Sequence, residues 1–137
     1  MEQSALHSLA GLPAFAVYFG LALVLLGVFV AIYLWMTPYP EIRLIRDGNV
    51  ATGISLGGAI IGFALPLAGA IESSVSLVDM AVWALIALAV QLLAYFLVHR
   101  VVPHLPRDVA EGKLASAVLL GATAIALGLL SAACMSY

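Results

Sequence analysis

The sequence predicts an all-α membrane protein: four transmembrane helices arranged as two tandem two-helix repeats in a compact bundle. Three observations carry this. Of 137 residues, 65% are apolar and 9% charged, with a mean hydropathy of +1.19, whereas soluble domains carry about 25% charged residues. Four apolar runs are each long enough, at about 1.5 Å per helical residue, to cross a hydrocarbon core of roughly 30 Å. All Lys and Arg residues fall in or beside two of the three connections between those runs.

Residues 1–12, with Glu2, Gln3 and His7, are weakly polar and read as a surface or interfacial lead-in. The first basic residue is Arg43, well past the first apolar run. That run therefore lacks a signal peptide's basic n-region and is expected to stay in the mature chain. Residues 13–36 make the first span: Pro13 suits a first helical turn, and Tyr33 and Trp35 are aromatics typical of the headgroup boundary. Thr37-Pro38-Tyr39-Pro40 ends it, because proline lacks a donor and biases its predecessor away from helix. The loop from Glu41 to Asn49 carries Arg43, Arg46, Glu41 and Asp47 between Ile42, Leu44 and Ile45, which predicts a short interfacial helix.

The second span, residues 51–71, is uncharged and loaded with Gly53, Gly57, Gly58, Gly62, Gly69 and Pro66. Gly53 with Gly57, and Gly58 with Gly62, each match the GxxxG spacing that lets helix backbones approach closely. Two faces with close neighbours are expected, one inside the protomer and one between protomers. The competing reading is that the glycines thin the helix to leave room for a pore. Pro66 predicts a kink. Glu72-Ser73-Ser74 reads as a turn and residues 77–101 as the third span, with Asp79 near its start, Gln91 near its middle, and His99 and Arg100 at its end. Pro103 and Pro106 break the chain again, a second basic loop brings Arg107, Asp108, Glu111 and Lys113, and residues 114–137 make the fourth span.

Arg43, Arg46, Arg100, Arg107 and Lys113 lie on one face, since two spans separate their loops. The opposite face has Glu2, Glu72 and Asp79 and no Lys or Arg. The positive-inside rule then makes both basic loops cytoplasmic and both termini periplasmic. Sliding the chain on itself by 64 residues pairs Gly48 with Gly112, Ala51 with Ala115, Leu56 with Leu120, Gly57 with Gly121, Ile61 with Ile125, Leu65 with Leu129 and Ala68 with Ala132. This predicts one membrane domain over residues 1–137, with repeat one at about 13–72 and repeat two at about 77–137. Each unit has two helices, so the copies share one topology and are parallel rather than inverted. The second helix is the more glycine-rich copy and is expected to make the closest contacts.

Thr37-Pro38-Tyr39-Pro40-Glu41, Leu44-Ile45-Arg46-Asp47-Gly48-Asn49, Leu56-Gly57-Gly58, Gly62-Phe63-Ala64-Leu65-Pro66-Leu67 and Ala70-Ile71, continuing to Ser74, Asp79, Trp83 and Gln91, form a linked set. Over roughly residues 14–136 it closely resembles the DUF350 family, also called UPF0719, small bacterial inner-membrane proteins of unknown function built from tandem two-helix units. Ser131 stands where that pattern leads one to expect Asn. The resemblance implies an inner-membrane location and no established catalytic residue.

Few residues offer chemistry. Gln91 is an amide near mid-membrane that needs partners, as interhelical glue or as part of a polar path. Asp79 reads either as an ion or proton site at the outer mouth or as a solvated carboxylate at a helix N-terminus. Glu72 reads as solvated. No nucleophile, base and orienting group assemble, no His, Cys, Asp and Glu have metal-ligand spacing, and Cys134 is a lone packing residue. The chain is expected to be a non-enzyme without cofactor or metal, and a net charge of −2 argues against nucleic acid. Two readings follow. One is a self-associating membrane component, a homo-oligomer in membrane lipid, whose basic loops meet a cytoplasmic protein partner or anionic lipid. The alternative is an oligomeric channel or transporter for ions or small solutes, lined by Gln91 and Asp79. Glycine packing at Gly53, Gly57, Gly58, Gly62, Pro66 and Gly121 serves either.

Overall fold

The computed structural model describes residues 2–73 and 75–135. The expected turn residue Ser74 and the expected end of the fourth span at Tyr137 lie outside the described residues. The described residues form α1 (Glu2–Ala10), α2 (Leu12–Met36), α3 (Glu41–Arg46), α4 (Val50–Ser73), α5 (Leu77–Val101), α6 (Leu105–Ala110) and α7 (Leu114–Cys134). Four apolar helical stretches are long enough to cross a membrane, the first running from Glu2 through Met36. The lead-in, expected as a short surface or interfacial segment, is helical and continues into the first span. Gly11 keeps φ −80° and ψ −10°, and its carbonyl accepts from the Phe15 N–H, so α1 runs into α2. The second basic loop also differs from expectation in holding a helix, α6.

α4 and α7 are the central pair, and α5 packs against both. Half of α4's most apolar window (50%) is buried inside the protein, against 11% for the first span, so α4 is the axis and α2 the periphery. Glycine opposes helix formation by about 1 kcal/mol per residue relative to alanine, and close packing offsets it here. A Cβ on Gly58 would lie 2.9 Å from the Gly121 carbonyl oxygen and nearer still to its Cα. One on Gly128 would lie 2.8 Å from the Gly62 carbonyl carbon and 2.9 Å from its Cα. Only hydrogen fits at these crossings. α7 thus makes approaches as close as α4 does, which corrects the expectation that the second span alone would. The two spans are the two sides of one seam.

Pro66 is buried within a helix that continues on both sides of it. Having no N–H, it leaves the carbonyl four residues earlier, that of Gly62, without its helical donor. The Gly128 backbone packs on that carbonyl. A weak Cα–H contact is the interaction such proximity allows.

α2 is tied in mainly by its C-terminal half, with Ala22, Tyr18 and Leu21 also touching the core. Phe29 stacks on Phe63 of α4 at 4.6 Å between ring centroids, and Tyr33 meets Tyr95 of α5 edge-on at 5.9 Å. Its other half presents Phe15, Phe19, Leu23 and Val24 outward, as a lipid-facing surface does.

At the basic end, α3 and α6 each turn sharply into the following span. Gly48 and Gly112 take φ of +88° and +83°, the left-handed conformation in which glycine ends helices without strain. The bonds around them run Asp47 N–H to Arg43, Gly48 to Ile45 and Asn49 to Leu44, then Glu111 to Arg107, Gly112 to Val109 and Lys113 to Asp108. Each bond of the second set lies 64 residues beyond its counterpart in the first.

Candidate functional site

The sequence-selected polar residues are scattered. Gln91, on α5, is buried, and its Nε2 donates to the Ala124 carbonyl of α7 at 3.1 Å. Its Oε1 has no partner among the described residues and lies 2.8 Å from where a Gly62 Cβ would be. Gly62 therefore makes room for the amide where α4, α5 and α7 meet. Asp79 lies in the first turn of α5. Its N–H donates to Ser76 Oγ at 3.1 Å and its Oδ2 accepts from the Val75 N–H at 3.4 Å, a helix-capping arrangement. Twelve residues of helix separate Asp79 from Gln91, about 18 Å along the axis and about 120° around it, so the two do not line one path. Glu72 is exposed near the end of α4.

Gly58, Gly62 and Gly121 lie in the seam, whereas Gly53 and Gly57 have no neighbour among the described residues within 4 Å of an added Cβ. The face expected to be occupied inside the protomer is thus only the Gly58 and Gly62 one. Outside it, Gly53, Ile54, Gly57, Ile61, Val118 and Ala122 line a shallow apolar groove of about 380 Å³. Cys134, read from the sequence as a packing residue, is exposed.

The two basic loops, alike in sequence, differ in how their charges are paired. Arg107 pairs with Glu111 at 3.1 Å, and Lys113 with Asp108 at 3.3 Å and Glu111 at 3.7 Å. Asp108 also accepts from Ser116 Oγ at 2.9 Å, and that bond foremost, with Lys113 helping, holds its carboxyl below the usual range. Arg43, Arg46 and Arg100 have no ion-pair partner among the described residues. Asn49 ties the loops together. Its Oδ1 accepts the Thr52 N–H at 3.0 Å, capping α4, and its Nδ2 donates to the carbonyls of Val109 at 3.3 Å and Ala110 at 3.0 Å.

The densest polar cluster is one that sequence reasoning missed. Glu41, read as a loop charge, is only 2% exposed. α2 ends at Thr37, whose N–H donates to the Tyr33 carbonyl, and after two prolines α3 starts with the Glu41 side chain turned inward. Thr37 Oγ1 bonds Glu41 Oε1 and also lies 3.1 Å from the Tyr33 carbonyl and 3.3 Å from that of Leu34. The other carboxyl oxygen, Oε2, and the hydroxyls of Tyr33, Tyr39 and Tyr95 have no geometric hydrogen-bond partner among the described residues, although Tyr39 lies near Ser55. All three phenols are within electrostatic range of the Glu41 carboxyl. Burial pushes the Glu41 pKa up to about 7, against the opposing hydrogen bond from Thr37, and burial and the Glu41 charge raise that of Tyr39. The spacing of Tyr33, Thr37 and Glu41, four residues apart, was the available signal. Pro38 and Pro40 hid it by marking a break in the helix.

Among the described residues no three His, Cys, Asp or Glu gather as a metal would require. Four apolar spans around a glycine seam define the class, a polytopic α-helical membrane protein. Within that class, residues 7–135 match the family described as Domain of Unknown Function (DUF350), and the chain belongs to this family. It is 33% identical over 132 residues to the UPF0719 inner membrane protein YjfL of Escherichia coli strain K12, covering 96% of this chain and 100% of that one. It is 28% identical over 93 residues to the UPF0719 transmembrane protein YshE of Bacillus subtilis strain 168, covering 68% of this chain and 69% of that one. No solved structure matches the chain.

Proposed function

We propose that the protein is a non-catalytic component of the bacterial inner membrane that self-associates through the open face of α4. On this reading it offers an arginine rim at its cytoplasmic end to anionic headgroups or a protein partner. The observation that carries it is the groove beside the seam, where Gly53 and Gly57 leave backbone uncovered between Ile54, Ile61, Val118 and Ala122. Without a hydrophobic force between helices in lipid, association rests on close backbone approach, which such a surface permits. The groove pairs Ile54 with Val118, Gly57 with Gly121, Gly58 with Ala122 and Ile61 with Ile125, each 64 residues apart. With the matching turns, this supports two duplicated units related by an axis along the membrane normal.

Arg43, Arg46 and Arg100 form the rim, each contributing about 1 kcal/mol near an anionic surface. Arg107 and Lys113 of the second loop are already paired with Asp108 and Glu111. The positive-inside rule puts this end in the cytoplasm and both termini in the periplasm. The conduit alternative is less well supported, because Gln91, Thr52 and Ser55 are buried among helices rather than turned toward the outer groove.

Resonance energy transfer between donor- and acceptor-labelled protein in lipid vesicles tests the reading. Transfer above the random-proximity level is expected for the wild type and for Gly27→Leu on the open face of α2, and should be lost in Gly57→Leu. Wild-type transfer at the random level overturns it.

A further inference from the structure

We propose that Glu41, with the Thr37 hydroxyl and the phenols of Tyr33, Tyr39 and Tyr95, forms a proton-binding site at the basic end of the bundle, the Glu41 carboxyl gaining and losing the proton. The site draws on α2, the segment joining it to α3, α3 itself and α5. None of these presents a cation to the carboxyl. Arg43 and Arg46 on α3 are exposed, and His99 meets the far side of the cluster through Tyr95, 6.0 Å between rings. From α4, the Ser55 hydroxyl lies near Tyr39 and donates to the Thr52 carbonyl at 3.1 Å. An ionised carboxylate so placed lacks the countercharge that buried carboxylates need.

Proton counting at Thr37 shows that its hydroxyl can serve both states. Its hydroxyl has one hydrogen and three acceptor oxygens in reach, those of Glu41, Tyr33 and Leu34. With Glu41 ionised, one hydrogen must be shared among them. With Glu41 protonated, the carboxyl donates to Thr37 Oγ1 and the Thr37 hydrogen passes to a backbone carbonyl, so each donor has an acceptor. The phenols of Tyr33, Tyr39 and Tyr95 lie within electrostatic range of the carboxyl but none forms a hydrogen bond with Oε2, which leaves an ionised Oε2 without a donor among the described residues. The ligand set is all oxygen with a single acidic group, which disfavours zinc-type and multiply charged metal ions.

Glu2, Glu72 and Glu111 are exposed, so replacing all three by Gln leaves Glu41 as the sole glutamate without touching the core. Carboxyl-carbon-labelled glutamate in this variant, in nanodiscs, is followed by NMR or infrared spectroscopy as pH is varied. The expected midpoint is about 7, unchanged when sodium or potassium replaces choline at constant ionic strength. Thr37→Val should raise it, having lost the hydrogen bond that favours the ionised form. A midpoint near the ordinary glutamate value of about 4.3 overturns the proposal. So does one that moves tenfold in proton concentration with sodium or potassium, which would make this an alkali-cation site. An unmoved midpoint in Thr37→Val contradicts the hydrogen-sharing arrangement.

Discussion

Alanine at the seam glycines should give effects of opposite sign on the two faces of α4. At Gly128 the added methyl meets Gly62 backbone on the partner helix, and at Gly62 it meets Ala124 backbone and Gln91 Oε1. Backbone cannot rotate aside, so α4 and α7 must separate. Overpacking of this kind costs about 1–3 kcal/mol, and the rigid neighbours put it at the upper end. Alanine returns at most about 1 kcal/mol of helix propensity, less in a bilayer where unfolded helices persist. Gly128→Ala and Gly62→Ala should therefore lose about 2 kcal/mol net. At Gly57 nothing stands within 4 Å, so Gly57→Ala should be neutral or stabilise the protomer by up to about 1 kcal/mol. Steric-trap unfolding in bicelles, at dilutions where protomers are separate, measures all three. A loss at Gly57 as large as at Gly128 would refute the assignment of faces.

Glu41 sets a pH dependence. Its pKa is raised from 4.5 to about 7 in the fold, so its contribution is complete below about pH 4.5 and is lost as pH rises through 7. The loss totals about 3 kcal/mol by linkage; it should be absent from Glu41→Gln in the same unfolding assay run across pH. Gln91→Leu removes one bond to Ala124 along with an unpartnered oxygen. It should destabilise by about 1 kcal/mol or less, near the average for interhelical bonds in membranes, and leave ion leakage of sealed vesicles unchanged. Asn49→Ala removes a helix cap and the ties to α6 and should cost about 1–2 kcal/mol. Lys113→Ala, 64 residues on, breaks exposed ion pairs and should cost under about 1 kcal/mol by the same assay.

The spans were legible because hydropathy and length suffice to mark them, and Pro38, Pro40, Pro103 and Pro106 punctuate the sequence where α2 and α5 give way to the short helices. The glycine spacing pointed to close packing but could not assign faces. Gly57 and Gly58 are neighbours in sequence, about 100° apart on a helix, and only the position of α7 decides which is covered. Glu41 was illegible for a related reason. A carboxylate between prolines and arginines looks solvated, and its burial depends on Tyr95 arriving from α5, far along the chain. The difference in ion pairing between the loops was also hidden, because Asn49 and Lys113 occupy equivalent positions and the pairing of Lys113 with Asp108 needs the turn at Gly112 to bring them together.

Self-association is the claim on which the proposed role stands, and native mass spectrometry of the protein released from nanodiscs tests it most directly. The wild type should appear as a multiple of the 14.3 kDa protomer, and Gly57→Leu should reduce it to the single protomer with helical content intact. A 14.3 kDa species alone, at every protein-to-lipid ratio, would contradict the account.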